Sequence, residues 1–209
     1  MNAPLLWDTQ RRSREARLMR ARGVAPGKID DAAAIGALLQ AVIEPGDRVC
    51  LEGNNQKQAD FLARALTSLD PVAVHDLHMV QSVLALPEHL DVFENGIAAK
   101  LDFSFSGPQG ARLAQLVSGG KIAIGAIHTY LELFARYFVD LTPKVALVCA
   151  QAADRAGNLY TGPNTEDTPA GMSTRGSAST ISLTCAITMP LLKAVASTIA
   201  GVSSVLGPV

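Results

Sequence analysis

The sequence has few of the residues that mark specialised classes of protein. Its 209 residues include three cysteines, Cys50, Cys149 and Cys185, which lie far apart and form no Cys-x-x-Cys motif. A structural zinc site or a redox-active cysteine pair is therefore not expected, and the first two cysteines lie in apolar runs that favour buried, unreactive thiols. Lys and Arg number 18 and Asp and Glu number 19, so the net charge of -1 gives no electrostatic attraction for nucleic acid.

Targeting and membrane-spanning segments are also lacking. Six arginines lie between Arg11 and Arg22, but Asp8 and Glu15 interrupt the basic run and no apolar segment follows it. The pattern excludes a secretory signal and favours a basic helix that lies on the protein or on a partner subunit, which makes the cytoplasm the expected compartment. After Asp167 no acidic residue occurs, yet Pro190 and Lys193 interrupt this apolar stretch, so no membrane span is expected.

Short apolar runs alternate with longer amphipathic stretches through the middle of the chain. This alternation predicts an α/β fold with a mostly parallel open sheet and helices on both faces. The predicted strands are Asp47–Leu51, Val72–Leu77, Leu101–Ser106, Lys121–Ala126 and Val145–Ala150. The predicted helices are Asp31–Ile43, Gln56–Leu69, Glu88–Ile97, Gln109–Val117 and His128–Val139.

These elements divide the chain into three predicted parts. Residues 1–44 form an N-terminal helical segment, residues 45–169 form the α/β domain, and residues 170–209 form a tail rich in Ser, Thr and Ala. The tail is expected to pack poorly, because it lacks acidic residues and shows no amphipathic period. Two explanations for its composition remain: a segment buried in the core, and a sequence that was never selected with this fold, such as a shifted reading frame or a spliced fragment.

The most informative polar segment follows the first predicted strand and leads into a helix. Gly53 allows a close approach of backbone or ligand, Asn54, Asn55 and Gln56 carry amide donors, and Lys57 adds a cation. With the free N–H groups at the start of a helix, these residues suit a carboxylate, a phosphate or a developing oxyanion. The alternative is a polar helix cap with Asn55 as the N-cap. One glycine is too few for a dinucleotide fingerprint.

Two further segments contain candidate substrate-binding residues. His128 opens a helix after a strand, where it suits either a hydrogen-bond partner or a structural cap. Asn164 and Glu166 belong to a polar cluster that follows a hairpin-type turn at Gly157-Asn158, and they either bind substrate or form a solvated loop.

His75 and His78 are interpreted as packing or supporting residues rather than a metal pair, because a separation of three residues in a strand points them to opposite faces.

Five segments taken together resemble the alpha subunit of biotin-independent malonate decarboxylase, which is akin to the citrate lyase alpha chain and to class I coenzyme A transferases. The resemblance runs in order from about Trp7 to Pro169. The segments are Cys50–Phe61, Val74–Pro87, Asp102–Gln109, Ile127–Tyr137 and Gly157–Pro169.

The resemblance implies an acyltransferase that exchanges acetyl for malonyl on the thiol of a small acyl carrier subunit. It also implies that this thiol belongs to a prosthetic group derived from dephospho-coenzyme A, that the chain itself binds no cofactor tightly, and that malonate, the carrier subunit and the decarboxylase subunits are the partners. In class I coenzyme A transferases the nucleophilic Glu comes from a second α/β half, so the resemblance names no catalytic residue here.

The chain departs from the family after about Pro169, and family members are much longer. It is therefore expected to be a truncated acyltransferase subunit that is inactive alone. The alternatives are a non-catalytic module that docks the carrier or decarboxylase subunits, and a fragment of another coenzyme A transferase that acts on a different short carboxylic acid.

Overall fold

The computed structural model of the protein describes residues 6–25, 32–53, 59–150, 152–153, 159–160, 181–187 and 194–197. Its helices are α1 (Leu6–Val24), α2 (Ala32–Val42), α3 (Asp60–Thr67), α4 (Glu88–Glu94), α5 (Gly110–Ser118) and α6 (Tyr130–Val139), with a short 3₁₀ turn at Gly107–Gln109. Its strands are β1 (Arg48–Leu51), β2 (Leu77–Val83), β3 (Ala98–Phe105), β4 (Ala123–Ile127), β5 (Val145–Ala150), β6 (Ala152–Ala153), β7 (Leu159–Tyr160), β8 (Ile181–Ile187) and β9 (Ala194–Ser197). None of the described helices is long and apolar enough to cross a membrane.

The main sheet has the strand order β4-β3-β2-β1-β5-β8-β9. Every pairing from β4 to β8 is parallel, and β9 runs antiparallel to β8. The predicted mostly parallel open sheet is confirmed. Strand β8 lies in the tail that was expected to pack poorly, yet it pairs with β5 from Val145↔Ile181 to Ala150↔Ala186.

Helices cover both faces of the sheet, as the sequence predicts. Apolar residues of α1 to α5 form one core with one side of the sheet, where Val49, Met79, Leu101 and Val145 point. Helix α6 packs on the other side against residues such as Cys50 and forms a smaller core there. Because the side chains of successive strand residues point to opposite faces, each face of the sheet is buried by a different layer of helices.

Strand β2 lies further along the chain than predicted. The apolar run that begins at Val72 forms a turn instead, and β2 begins at Leu77. The cause is local: the Asp70 side chain accepts the Val72 N–H at 2.9 Å, and its carbonyl accepts the Val74 N–H at 2.9 Å. Asp76 then takes a left-handed conformation with φ of 56°, which ends the turn and begins the strand.

Helix α4 is shorter than predicted, and β3 begins earlier. The predicted helix ran through Gly96, but the helix ends at Glu94. Gly96 has φ of 76°, a conformation that stops a helix and that glycine adopts at little cost. The chain therefore turns there, so that Ala98 already pairs with Leu77 of β2.

The basic helix α1 lies on the protein through a buried arginine. Arg17 is 6% exposed and pairs with the buried carboxylate of Asp47, and its Nη2 lies 2.6 Å from Glu44 Oε2. Arg20 adds a bond from Nε to the Ala41 carbonyl at 2.9 Å. These contacts fasten α1 to the end of α2 and to the turn before β1, which agrees with one of the two predicted locations for the helix.

Replacing Arg17 by Met should destabilise the fold strongly. The substitution leaves the Asp47 carboxylate buried without its guanidinium, and breaking a buried pair in this way costs about 3–5 kcal/mol. Urea denaturation should show this loss, whereas the control Arg22→Ala, at an exposed residue of the same helix, should change the free energy of unfolding by less than about 0.5 kcal/mol. Equal stabilities for the two variants would show that the pair does not hold α1.

A buried imidazole in α4 should make stability depend on pH. The side chain of His89 is fully buried, and neither ring nitrogen has a hydrogen bond of good geometry. Burial lowers its pKa from the usual 6.5 to about 4, although Glu88 and the Val83 carbonyl oppose this. Since the unfolded chain takes up the proton first, stability is lost as the pH falls from about 6.5 to about 4.

The variant His89→Leu should remove this part of the pH dependence. Between about pH 7 and pH 4 its free energy of unfolding should fall by about 3 kcal/mol less than that of the unchanged protein. Denaturant titrations at a series of pH values measure the difference. His75→Gln, at a partly exposed residue, is the matched control and should follow the unchanged protein; a His89→Leu profile that did the same would contradict the assignment.

Candidate functional site

The order of the strands reverses at β1. From β1 the chain adds β2, β3 and β4 on one side, and then crosses to add β5 and β8 on the other. In open α/β sheets such a reversal leaves a crevice outside the carboxyl ends of the two diverging strands, which is where ligands bind. Glu52 and Gly53 directly follow the carboxyl end of β1, so the first candidate segment begins at this crevice.

Gly53 lies in close contact with the backbone of the neighbouring strand. A Cβ atom built on Gly53 would lie 2.1 Å from the Val83 carbonyl oxygen and 2.8 Å from its nitrogen. Because the obstacle is backbone at the end of β2, a side chain at this position would force the turn or the strand to move. The sequence-based expectation of a close approach at Gly53 therefore has a specific partner, Val83.

Glu52 joins the two strands that diverge at the crevice. Its carboxylate is fully buried, and Oε2 accepts the Cys149 N–H of β5 at 2.6 Å. Its own N–H donates to the Leu147 carbonyl at 3.0 Å. Sequence reasoning did not select Glu52, although an acidic residue that directly follows the apolar run Val49-Cys50-Leu51 was a signal for a buried, bonded carboxylate.

The other candidate residues of this segment, Asn54, Asn55, Gln56 and Lys57, lie outside the described residues, as do Asn164 and Glu166. Helix α3 begins at Asp60, and its N-cap residue is Ala59, with no side-chain cap bond. The alternative in which Asn55 is the N-cap of this helix is therefore not supported. Strands β6 and β7 pair antiparallel, and the predicted turn at Gly157-Asn158 lies outside the described residues.

His128 is held inside the protein. Its ring is completely buried, and Nε2 lies 2.7 Å from Asp102 Oδ1. The N-cap of α6 is Thr129, whose Oγ1 accepts the Glu132 N–H at 3.2 Å, so His128 is a hydrogen-bond partner rather than the cap. It follows β4, three strands from β1, which separates it from Gly53 by about 14 Å of sheet.

Asp102 holds a second histidine on the same face of the sheet. His78 Nε2 lies 2.6 Å from Asp102 Oδ2, so one carboxylate bridges two imidazoles. Burial acts to raise the pKa of Asp102, but the hydrogen bonds from His128 and His78 prevail and lower it below its usual value. Burial lowers the pKa of His78, against the opposing effect of Asp102.

Sequence reasoning missed this cluster around Asp102, for which Gly125 makes room. A Cβ atom on Gly125 would lie 2.0 Å from Asp102 Oδ2, so the glycine in β4 makes room for the carboxylate. The register of β3 and β4 also shifts between Leu101 and Asp102. Within the described residues, no group of three or more His, Cys, Asp or Glu side chains is arranged to hold a metal ion.

Comparisons with known proteins agree on one family. A family model described as "Malonate decarboxylase, alpha subunit, transporter" matches residues 6–184, which includes the first residues of β8. A curated "Acetyl-S-ACP:malonate ACP transferase" from Malonomonas rubra is 64% identical over 133 residues, which are 64% of this chain and 24% of that protein.

Two solved structures share the fold. One is a Pseudomonas malonate decarboxylase hetero-tetramer in complex with malonate, with 54% identity and a TM-score of 0.82 over 87% of this chain and 33% of that chain. The other is a malonate decarboxylase alpha subunit from Acinetobacter baumannii, with 46% identity and a TM-score of 0.81 over 88% of this chain and 34% of that chain. The chain thus spans a quarter to a third of the length of these relatives, and the family match covers most of its own. The chain belongs to the malonate decarboxylase alpha subunit family.

Proposed function

We propose that this chain forms the part of an acetyl-S-acyl carrier protein:malonate acyl carrier protein transferase that contains the crevice at the carboxyl end of β1. The transferase exchanges acetyl for malonyl on a carrier thiol. Malonate and the acetyl thioester enter, and the malonyl thioester and acetate leave. The supporting observation is the position of Gly53, which follows the central strand at the strand-order reversal and lies against the backbone of Val83.

The reaction requires hydrogen-bond donors for the thioester carbonyl oxygen and a fixed arrangement of the two reactants. Attack of a malonate carboxylate on the thioester carbonyl builds negative charge on the carbonyl oxygen and leads through a mixed anhydride. A well-placed hydrogen-bond donor for that oxygen contributes about 3–4 kcal/mol, and holding both reactants close contributes further. In this proposal the amides of Asn54, Asn55 and Gln56 and the ammonium of Lys57 supply donors for the thioester oxygen or the malonate carboxylate.

The described neighbours of the turn explain how such donors would keep their position. The predicted turn begins at Gly53, where the Val83 backbone leaves no room for a side chain. On the other side Glu52 ties the end of β1 to Cys149 of β5. Asn164 and Glu166 enter the proposal as further polar contacts of the substrate. His128, with its buried ring on Asp102, enters it as a positioning residue and not as a substrate contact.

The carrier subunit, the decarboxylase subunits and malonate are the proposed partners. The acyl group is proposed to be carried on a thiol derived from dephospho-coenzyme A, and the chain to bind no cofactor tightly. The cytoplasm is the proposed compartment.

Substitutions in the turn should reduce transfer without affecting decarboxylation. In a longer relative, Asn54→Ala and Lys57→Ala at the aligned positions should each reduce the rate of malonyl transfer by about 10²–10³-fold, the loss that follows removal of one oxyanion donor. Gly53→Ala should reduce transfer as well, because the added methyl group meets the Val83 carbonyl. The assay follows labelled malonate from solution onto the acetylated carrier protein.

Two controls separate a role in transfer from general damage. Decarboxylation of preformed malonyl-carrier protein by the other subunits should be unchanged in all three variants. Gly36→Ala in α2, where an added Cβ has no atom within 4 Å, should fold normally and transfer at the usual rate. If Asn54→Ala and Lys57→Ala both transferred normally, the turn would have no catalytic part, and the docking-module alternative would be favoured.

A further inference from the structure

Strand β1 stops pairing with β5 before β5 itself ends. Their last backbone partners are Leu51 and Leu147, and one further bond runs from the Glu52 N–H to the Leu147 carbonyl at 3.0 Å. In a parallel ladder, a residue whose N–H makes such a bond accepts with its carbonyl the N–H two residues further along the partner strand. If the ladder continued, the Glu52 carbonyl would therefore accept the Cys149 N–H.

The side chain of Glu52 accepts that N–H instead. Cys149 donates to Oε2 of Glu52 at 2.6 Å, and both residues are buried. Strand β5 continues to Ala150 and stays paired with β8 as far as Ala150↔Ala186. A donor inside such a sheet must find an acceptor, so the carboxylate replaces the main-chain carbonyl at the point where the main chain of β1 departs. The last bond of the ladder therefore depends on the reach of this side chain.

The main chain departs toward β2, on the side away from β5. The pairing of β1 with β2 has Cys50 opposite Val80, so its register places Gly53 opposite Val83. A Cβ atom on Gly53 would lie 2.1 Å from the Val83 carbonyl oxygen, which shows how closely the chain lies against β2 there. The end of β1 is thus held on both sides: by backbone contact with β2, and through the Glu52 carboxylate from β5.

We propose that Glu52 is a positioning residue of the transferase. Its carboxylate replaces its own carbonyl in the β1–β5 ladder, which fixes where the segment after Gly53 leaves the sheet. The inference rests on the proposed function, because that segment carries the proposed donors, Asn54 and Lys57 among them. Glu52 acts on the substrates only through this segment, and it needs for this role the length of its side chain and an oxygen at the end.

Two substitutions separate the length of the side chain from its charge. Gln has the same length and an amide oxygen that can accept the Cys149 N–H, so Glu52→Gln keeps the bond. Asp keeps the carboxylate but is shorter by one methylene, about 1.5 Å, which takes its oxygens out of hydrogen-bond range. Because Glu52 acts through this bond, Glu52→Gln should resemble the unchanged protein more closely than Glu52→Asp does.

Scalar couplings across hydrogen bonds, measured by NMR on the labelled full chain, test the bond itself. The Cys149 amide nitrogen should couple to the side-chain carboxyl carbon of Glu52, and this coupling should persist in Glu52→Gln and vanish in Glu52→Asp. The control is the bond from the Lys144 N–H to the Arg48 carbonyl, 2.8 Å long at the other end of the same strand pair, whose coupling should persist throughout. A coupling from Cys149 to the main-chain carbonyl carbon of Glu52 would overturn the proposal.

Malonyl transfer by a longer relative that has Glu at the aligned position tests the role. Glu52→Asp should lower kcat/KM for transfer about 10²-fold, the loss that a misplacement of about 1 Å causes, and at least about tenfold more than Glu52→Gln does. In the double variant Glu52→Asp/Lys57→Ala the two losses should combine to much less than their product, because both changes act on the same donors. A mere loss of folded enzyme would multiply the two effects.

The variants of the segment separate a failure of this inference from a failure of the proposed function. Normal transfer by both Asn54→Ala and Lys57→Ala contradicts the donor role of the segment, and the inference with it. If those two variants lose transfer while Glu52→Asp and Glu52→Gln transfer equally well, the proposed function stands and the positioning role of Glu52 is overturned. The same holds if the losses of Glu52→Asp and Lys57→Ala multiply.

Discussion

Strand β1 lies in the middle of the sheet, with β2 hydrogen-bonded on one side and β5 on the other, and helices cover both of its faces. Three of its four residues are completely buried. Burial of this strand forces the rest of the arrangement, because its backbone groups must all be paired within the sheet and its side chains must meet two different cores. In open sheets, ligands bind outside the carboxyl end of such a strand, because the neighbouring strands diverge in sequence at this point.

The same constraint governs the polar groups that the sheet buries. A charge in such a place costs several kcal/mol unless it is paired and hydrogen-bonded. Each of the three acidic residues that are buried in the described part of the chain meets that requirement differently: Asp47 through Arg17, Glu52 through the Cys149 N–H, and Asp102 through His78 and His128. Two of these carboxylates join α1 or α6 to the sheet, and Glu52 joins β1 to β5. Buried charge in this fold therefore determines how the layers are connected.

Hydrophobic periodicity predicted the fold class because the pattern of apolar residues follows burial, and the strands of a parallel sheet are buried on both faces. It located β1 and β5 within one residue of their observed bounds. It failed at β2, where the bond from the Val72 N–H to Asp70 formed a turn from residues that are apolar enough for a strand. A local polar bond of this kind does not alter the apolar pattern, so the pattern could not reveal it.

In the candidate site too, features that depend on adjacent residues could be predicted from the sequence, and contacts between distant residues could not. The position of Gly53 after a buried strand was predictable, because it depends on adjacent residues. The Asp102 cluster was not, because Asp102 is 24 and 26 residues from the two histidines that it bonds. Only the register of β2, β3 and β4 brings them together. The two histidines were expected to share one strand, but His75 precedes β2, and His78 has a partner that the spacing of residues could not indicate.

Two glycines give these sites their geometry, and the kind of atom that each one meets distinguishes their roles. The neighbour of Gly125 is the carboxylate of Asp102, a side chain that the glycine allows to remain buried beneath β4. The neighbour of Gly53 is the backbone of Val83, which has no side-chain rotamer to change. The first contact therefore accommodates a charge, whereas the second fixes where the chain leaves β1. Since catalytic donors must be held in place before the reacting groups arrive, a turn that starts from a fixed backbone contact is the better location for them. That physical difference is the reason why the proposal assigns the donors to the segment after Gly53 and not to the Asp102 cluster.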